Sequence, residues 1–249
     1  MTRYIAALAT PTRFDFSLAG ADGGPLCGEV RTADGSRPTI VLCHGFKGFK
    51  DWGFFPITVD RLARAGFAVV SFNFSGSGVG AGGQVFNEPE RFRHNTYSHE
   101  IRDLEVVLTE LERGTLGVRP TTIGLLGHSM GGGVAVLQAG RDHRVRSLVT
   151  WAATARFGRL WHADQIAEWR RTGTLEIVNQ RTGERLPLST DILDDLEQHA
   201  TRLDVLAAAG AIHAPWLIIH GSGDESVPAG RVVAVRSLVL ADEAAAGKS

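Results

Sequence analysis

Three short motifs contain the residue types that acyl-transfer chemistry needs. The sequence Gly127-His128-Ser129-Met130-Gly131 fits the pattern G-x-S-x-G. A serine hydroxyl attacks acyl carbons once a neighbouring base takes its proton. In this pattern the flanking glycines allow a sharp turn between a strand and a helix, which exposes the hydroxyl above the sheet. We therefore predict Ser129 as a nucleophile.

The surroundings of Ser129 match that requirement. An apolar run at 122–126 predicts a strand just before the motif, and a helix is predicted just after it. At the start of such a helix the amide of Met130 faces the same space as the serine hydroxyl, where it can donate to an oxyanion.

The other two motifs are His44-Gly45-Phe46 and 220–224 (HGSGD). Each follows an apolar run, at 39–43 and 215–219. Gly45 would let the loop turn so that the amide of Phe46 faces an oxyanion. Asp224 would orient an imidazole and stabilise its cationic form. The alternatives are a plain strand-ending turn at the first motif and an ordinary turn aspartate at the second.

The rest of the pattern predicts the scaffold for these motifs. Continuous apolar runs predict buried parallel strands, at 39–43, 67–74, 122–126, 147–151 and 215–219. Helices are predicted between them, at 57–65, 97–112 and 132–139. This alternation favours a doubly wound α/β sheet, preceded by an antiparallel hairpin of residues 13–18 and 26–30.

Residues 155–210 interrupt the alternation, and we expect them to form a small cap inserted into a core made of residues 1–154 and 211–249. Within the cap, helices are predicted at 160–171 and 191–209, and strands at 174–178 and 185–188 around a turn at 181–183.

The three motifs resemble those of the α/β-hydrolase superfamily. They are HGF at 44–46, GHSMGG at 127–132 and HGSGDESVP at 220–228, and the resemblance covers about residues 12–240. The segment at 69–83 resembles the strand and glycine-rich loop of the esterase and serine-peptidase-like members of this superfamily. Within the superfamily, the chain is similar to small carboxylesterases and cinnamoyl (feruloyl) esterases.

That resemblance implies a cofactor-free and metal-independent carboxylesterase for small or aromatic acyl esters. It also implies Ser129 as nucleophile, Asp224 as the acid of the triad, and the amides of Phe46 and Met130 as the oxyanion hole. A peptidase or acyltransferase with the same machinery, and a non-catalytic ligand-binding relative, remain alternatives.

The triad histidine is the missing part of the resemblance. The superfamily order is serine, acid, histidine, yet all nine histidines of this sequence precede Asp224. We expect that the sequence stops short of its natural end, after a helix predicted at 229–240, and so lacks the last strand and the catalytic histidine. The alternatives are a substitute base, with His162 as candidate and His220 as a weaker one, or a non-catalytic relative. We expect very little hydrolysis from these 249 residues.

Two further features are candidates for parts of a binding site. Trp161 and His162 lie at the start of the predicted cap, where Trp161 and Trp169 could line an aromatic pocket or, as we favour, pack the cap onto the core. The glycines of Gly78-x-Gly80-x-x-Gly83 fit a dinucleotide fingerprint, but no convincing helix follows, and we expect a mobile loop beside the pocket.

Composition limits the partners. With 26 basic and 27 acidic residues the net charge is −1, which argues against nucleic acid or an anionic membrane as main partner. The resemblance implies a small-molecule ester as the partner. Cys27 and Cys43 provide no disulfide framework or metal motif, and no apolar run approaches the length of a bilayer span. We expect a cytoplasmic protein.

Overall fold

The computed structural model describes residues 10–33, 35–80, 85–179, 183–224 and 227. The strands are β1 (Thr12–Ala19), β2 (Pro25–Thr32), β3 (Arg37–Cys43), β4 (Ala68–Phe72), β5 (Pro120–His128), β6 (Val145–Trp151), β7 (Thr174–Val178), β8 (Arg185–Ser189) and β9 (Trp216–Ile219). The helices are α1 (Phe55–Arg64), α2 (Pro89–Arg93), α3 (Tyr97–Arg113), α4 (Ser129–Ala139), α5 (Ala163–Thr172), α6 (Asp191–Gln198) and α7 (Val205–Gly210).

Seven of these strands form one sheet in the order β1-β2-β4-β3-β5-β6-β9. The predicted hairpin is present, since β1 and β2 pair antiparallel along their whole length, and β2 also runs antiparallel to β4. The other five strands of this sheet, β4, β3, β5, β6 and β9, run parallel to one another. The predicted α/β-hydrolase fold with a mostly parallel, doubly wound sheet is therefore confirmed.

Burial explains why the predicted strands form. All five residues of β4 are buried, as expected for a strand covered on both faces. The predicted helix at 97–112 is α3, whose apolar stripe of Ile101, Leu104, Leu108 and Leu111 is fully buried. Thr96 caps the start of this helix, because its hydroxyl accepts from the amide of His99 at 3.1 Å.

Several predicted elements have different bounds. The helix predicted at 132–139 begins at Ser129, because the strand-to-helix turn takes no intervening residue. The helix predicted at 160–171 is α5, which begins only at Ala163, after a 3₁₀ turn at Phe157–Arg159. The helix predicted at 191–209 is divided into two, α6 and α7.

The glycine-rich loop is packed in its described part, and its mobility stays a prediction. Residues 75–80 are buried, and Ser75–Ser77 form a 3₁₀ turn. A Cβ on Gly76 would lie 2.2 Å from Oδ1 of Asn95, so the backbone here packs directly against the segment before α3. Gly83, residues 181–182 of the predicted turn and the helix predicted at 229–240 lie outside the described residues.

The segment 155–210 adds α5, the antiparallel pair β7–β8, α6 and α7 between β6 and β9. It is joined to the sheet-bearing part by α2, where the Ser189 hydroxyl donates to the backbone oxygen of Arg93 at 2.9 Å. A carboxylate oxygen of Asp195 accepts from the amide of Ser98 at 2.9 Å. None of the described helices combines the length and apolar character needed to cross a bilayer.

Candidate active site

Ser129 occupies a strained turn at the carboxyl end of β5. Its φ is 54°, in the left-handed region that residues with a Cβ rarely adopt. It is also the first residue of α4, so its backbone reverses from strand to helix within one residue. This is the geometry that the G-x-S-x-G pattern predicts for an exposed nucleophile.

The two flanking glycines are required by close backbone contacts. A Cβ on Gly127 would lie 2.6 Å from the backbone oxygen of Gly131, and a Cβ on Gly131 only 2.1 Å from that of His44. The second contact presses the start of α4 directly against the end of β3. Only glycine fits at either position without moving the turn.

The His44-Gly45-Phe46 loop reaches the serine. A Cβ on Gly45 would lie 2.9 Å from the Cβ of Ser129, which shows how closely the two turns meet. The amide of Gly48 donates to the oxygen of Gly45 at 3.0 Å and closes the loop. Met130, which is buried, is the second residue of α4, where a helix N–H has no acceptor within the helix. The structure thus brings the Phe46 loop and the start of α4 to either side of Ser129.

The hydrogen bonds of the His44 ring give this residue a structural role. Its Nε2 accepts from the amide of Phe74 at 3.2 Å, so Nδ1 carries the proton and donates to the oxygen of Gly45 at 2.9 Å. Burial lowers the pKa of His44 to about 4. The ring is therefore neutral at pH 7 with both nitrogens occupied, and it holds the loop that carries Phe46.

Asp224 lies beyond the carboxyl end of β9, and two imidazoles are near it. Its Oδ2 is 3.6 Å from Nε2 of His220, while its Oδ1 accepts from the amide of Val227 at 2.9 Å. Burial lowers the pKa of His128, and the negative charge of Asp224 partly opposes that shift. The carboxylate is therefore close enough to the residue before Ser129 to act on it electrostatically.

His220 is held by a backbone contact. Its Nε2 lies 2.6 Å from the backbone oxygen of Val227, which can only accept, so Nε2 carries the proton. Its Nδ1 is buried and has no partner among the described residues. No hydrogen bond joins any described histidine to the Ser129 hydroxyl.

Aromatic rings surround the Phe46 side of the site. The ring centroid of Phe46 lies 5.5 Å from that of Phe92 and 5.5 Å from that of Trp161. Trp161 contacts Trp169 at 5.2 Å and donates to the hydroxyl of Tyr97 at 3.4 Å. Trp161 thus packs against the core and reaches the Phe46 loop at the same time, so the two predicted alternatives for it are compatible.

His162, unlike the adjacent Trp161, is not packed against the aromatic side chains beside the site. It is exposed, it precedes α5, and its imidazole makes no hydrogen bond or ring contact with another described residue. Nothing in its surroundings orients it as a base.

A buried acid behind the site escaped the sequence analysis. Glu100 accepts from Nδ2 of Asn95 at 2.8 Å, yet its Oε2 and the Oδ1 of Asn95 have no partners among the described residues. A proton on Oε2 of Glu100 would make that oxygen a donor, whereas Oδ1 of Asn95 can only accept. Burial is the main cause that raises the pKa of Glu100 to about 8; the hydrogen bond from Asn95 opposes this shift, and the negative charge of Asp103 contributes to it. An acid at a first-turn position, where exposed carboxylates are common, gave no sequence signal of burial.

We expect Glu100→Gln to flatten the pH dependence of stability. The native state holds a proton between the ordinary pKa of 4.5 and about 8, whereas the unfolded state releases it. Stability present below pH 4.5 is thus lost as the pH rises to about 8, at up to ~1.4 kcal/mol per pH unit. Urea unfolding at pH 5, 6.5 and 8 measures this slope, with exposed Glu105→Gln as control. Parallel curves for wild type and Glu100→Gln would show that Glu100 does not titrate in this range.

A family model described as serine aminopeptidase S33 matches residues 34–200, well over half of the chain. A curated relative is 2,6-dihydropseudooxynicotine hydrolase of Paenarthrobacter nicotinovorans, which is 27% identical over 228 residues, covering 89% of this chain and 54% of that protein. The chain spans about half the length of the curated relatives it matches, 52% to 54%.

Two solved structures share the fold. A hydrolase from Agrobacterium vitis superposes with a TM-score of 0.65 at 22% identity, covering 88% of this chain and 82% of that one. The esterase Pf2001 of Pyrococcus furiosus superposes with a TM-score of 0.60 at 18% identity, covering 89% and 75%. At these identities the likeness concerns the fold alone. The family match, the sheet order and the turn at Ser129 agree, and the chain belongs to the serine aminopeptidase S33 family and has the α/β-hydrolase fold.

Proposed function

We propose that the chain is a serine hydrolase that cleaves carboxylic esters through an acyl-enzyme on Ser129. The observation that carries this proposal is the strained φ of 54° at Ser129, in a turn that Gly45 approaches to within van der Waals distance. Such strain persists only where the surrounding structure imposes it, and it is concentrated at functional sites. Membership of a hydrolase family supports the same reading.

The proposed reaction uses the elements that meet at Ser129. Its Oγ attacks the ester carbonyl carbon while an imidazole takes the hydroxyl proton. The amides of Phe46 and Met130 donate to the carbonyl oxygen as it becomes negative. The imidazole then protonates the departing alcohol, and water releases the acid from Ser129. Asp224 is the proposed acid that orients the imidazole, supported by its electrostatic effect on His128 and its contact with His220.

The proposed acyl group is small or aromatic. Phe46, Phe92 and Trp161 form an aromatic wall beside the loop that carries the proposed oxyanion donor. Aromatic rings favour a planar apolar group, through edge-to-face or offset contacts. The substrate is thus proposed to be a small-molecule ester.

Fluorophosphonate labelling followed by intact mass tests the proposal, with Ser129→Ala as control. Because no described histidine is bonded to the Ser129 hydroxyl, we expect slow labelling that added imidazole accelerates. The alanine variant should lose both the basal and the stimulated label. Fast labelling without imidazole would mean that a residue of this chain already activates the serine.

Labelling that survives in Ser129→Ala, or no labelling of folded protein with or without imidazole, would contradict the proposal. The second result would favour a non-catalytic binding protein. The family description also leaves amide cleavage as a candidate, with the same attack on the acyl carbon. Parallel assays with 4-nitrophenyl acetate and 4-nitroacetanilide distinguish the two, and we expect turnover of the ester only.

A further inference from the structure

A cavity lies at the opposite end of the parallel strands from Ser129. Its volume is about 360 Å³, and it is bounded by the segment between α4 and β6 and by the residues just before β9. Strands β6 and β9 both begin at this cavity, whereas Ser129 lies where β5 ends. Because β5, β6 and β9 are parallel, the cavity lies at the amino ends of the strands and the proposed active site at their carboxyl ends.

The ionisable side chains of this cavity are mostly cationic. They are Arg141, Asp142, His143, Arg146 and His213. The single carboxylate is already occupied by a guanidinium outside this set, that of Arg144, at 2.7 Å and 2.9 Å, and by the Gln138 amide at 2.8 Å. Asp142 therefore does not neutralise the arginines that face the cavity.

Those arginines have no anionic partner of their own. The guanidinium of Arg141 donates to the neutral amide oxygen of Gln138 at 2.8 Å. Across the part of the chain that the structure describes, the side chains of Arg146, His143 and His213 make no hydrogen bond or ion pair. Two arginines and two imidazoles thus face one cavity, and none of the four side chains forms an ion pair with another described residue.

The neighbouring charges leave this imbalance in place. Burial lowers the pKa of Arg141, and the nearby positive charge of Arg202 lowers it further, while Glu105 and Asp142 oppose the shift. A third arginine therefore adds to the positive potential at this end of the strands, and a bound anion would relieve the repulsion between Arg141 and Arg202.

The end of α4 explains only part of the cluster. The partial negative charge at a helix C-terminus stabilises cations in the last turn, which accounts for Arg141 just after Gly140. Arg146 lies in β6, and His213 follows α7 on a different segment. The helix end gives no reason for these two side chains to converge on the same cavity.

We propose that this cavity binds the phosphate group of a small phosphate monoester. A guanidinium presents several N–H donors in a fork that fits phosphate oxygens, and imidazoles add further donors. A volume of about 360 Å³ exceeds the needs of a phosphate alone and leaves room for an organic group of sugar size. The site is independent of Ser129 and does not rest on the proposed hydrolase activity.

Isothermal titration with ribose 5-phosphate at pH 7 and low salt tests the proposal, with ribose and inorganic phosphate as probes of each half. We expect saturable binding of one equivalent of ribose 5-phosphate, weaker binding of phosphate and none of ribose. In the double variant Arg146→Gln/His213→Gln the dissociation constant should rise at least about tenfold, the effect of losing one charge-assisted contact. Arg61→Gln, on α1, is the matched control and should bind as wild type does.

A second measurement does not depend on the variants folding. In the wild-type protein the imidazole C–H resonances of His143 and His213 should shift during the titration, while those of exposed His162 should not. The proposal is overturned by an absence of saturable binding, by equal affinity in the double variant and wild type, or by binding that leaves both resonances unchanged. Binding that Arg61→Gln weakens equally would also overturn it, as general charge attraction.

Discussion

Gly131→Ala is expected to lower both the stability of the protein and the reactivity of Ser129. The added Cβ would lie 2.1 Å from the backbone oxygen of His44 and 2.7 Å from that of Cys43. Both contacts are to backbone atoms, so no flexible side chain can move aside. Overpacking of this kind costs about 3 kcal/mol, or about 6–12 °C in melting temperature for a chain of this size.

The same clash moves the reacting groups. Relieving it must separate α4 from the loop that follows β3, and those elements carry Met130 and Phe46. A displacement of about 1 Å lowers rates by roughly 100-fold, so we expect fluorophosphonate labelling of Ser129 to fall by at least that factor.

Gly210→Ala is the matched control for this experiment. Gly210 also lies in a helix, and a Cβ there would meet nothing within 4 Å. This variant should be as stable as wild type, or slightly more so, because alanine loses less backbone entropy on folding. Thermal melting and labelling rates of both variants provide the test. Gly131→Ala with unchanged melting and labelling would show that α4 and the β3 loop are not in the close contact described.

Trp169→Ala is expected to have the largest effect on stability. Trp169 is 1% exposed and is the largest fully buried side chain. Its indole donates from Nε1 to the backbone oxygen of Leu188 at 2.9 Å, which ties α5 to β8. Removing a buried tryptophan costs about 3–5 kcal/mol, and the oxygen of Leu188 also loses its donor.

This substitution also tests the aromatic wall. Trp161 packs edge-on against Trp169 and in turn against Phe46, so the alanine variant removes the support behind the proposed acyl pocket. Urea unfolding measures the loss of stability. Where ester turnover is measurable, we expect selectivity for aromatic over acetyl esters to fall.

Trp169→Phe separates packing from hydrogen bonding. It keeps a ring in the cavity but removes the indole N–H, so it should lose about 1–3 kcal/mol, less than Trp169→Ala. Equal losses in the two variants would assign the whole effect to the hydrogen bond. A loss below 1 kcal/mol for Trp169→Ala would contradict the buried, tightly packed position of this ring.

The structural features that follow from local geometry could be predicted from the sequence. Ser129 and its glycines form a turn whose conformation depends only on nearby residues, so the motif predicts the strained φ and the abrupt start of α4. The hairpin of β1 and β2 and the bounds of α3 were predicted for the same reason, since alternation, periodicity and caps are local signals. The division of the chain into a core and a cap, and the roles of Ser129, Asp224, Phe46 and Met130, stay predictions.

Contacts between distant parts of the chain could not be predicted from the sequence. The cationic cavity joins the segment after α4 to the residues before β9, about 70 positions apart. The partnership of Glu100 with Asn95, and the burial of the loop at residues 75–80 that was expected to be mobile, depend on how α3 seats against the sheet. Sequence periodicity reports which face of an element is apolar, but not which partner covers it.

By itself, the sequence determined the fold class and the strand-to-helix turn at Ser129, because both follow from short runs of residues, and it predicts the acyl-transfer chemistry that this turn permits. Only the tertiary structure decided which imidazoles approach Asp224, that Trp161 bridges Trp169 and Phe46, and that four basic side chains without an ion pair to any described residue share a cavity where β6 and β9 begin. These depend on long-range packing, in which the burial and charge of a side chain are set by residues far away in the chain.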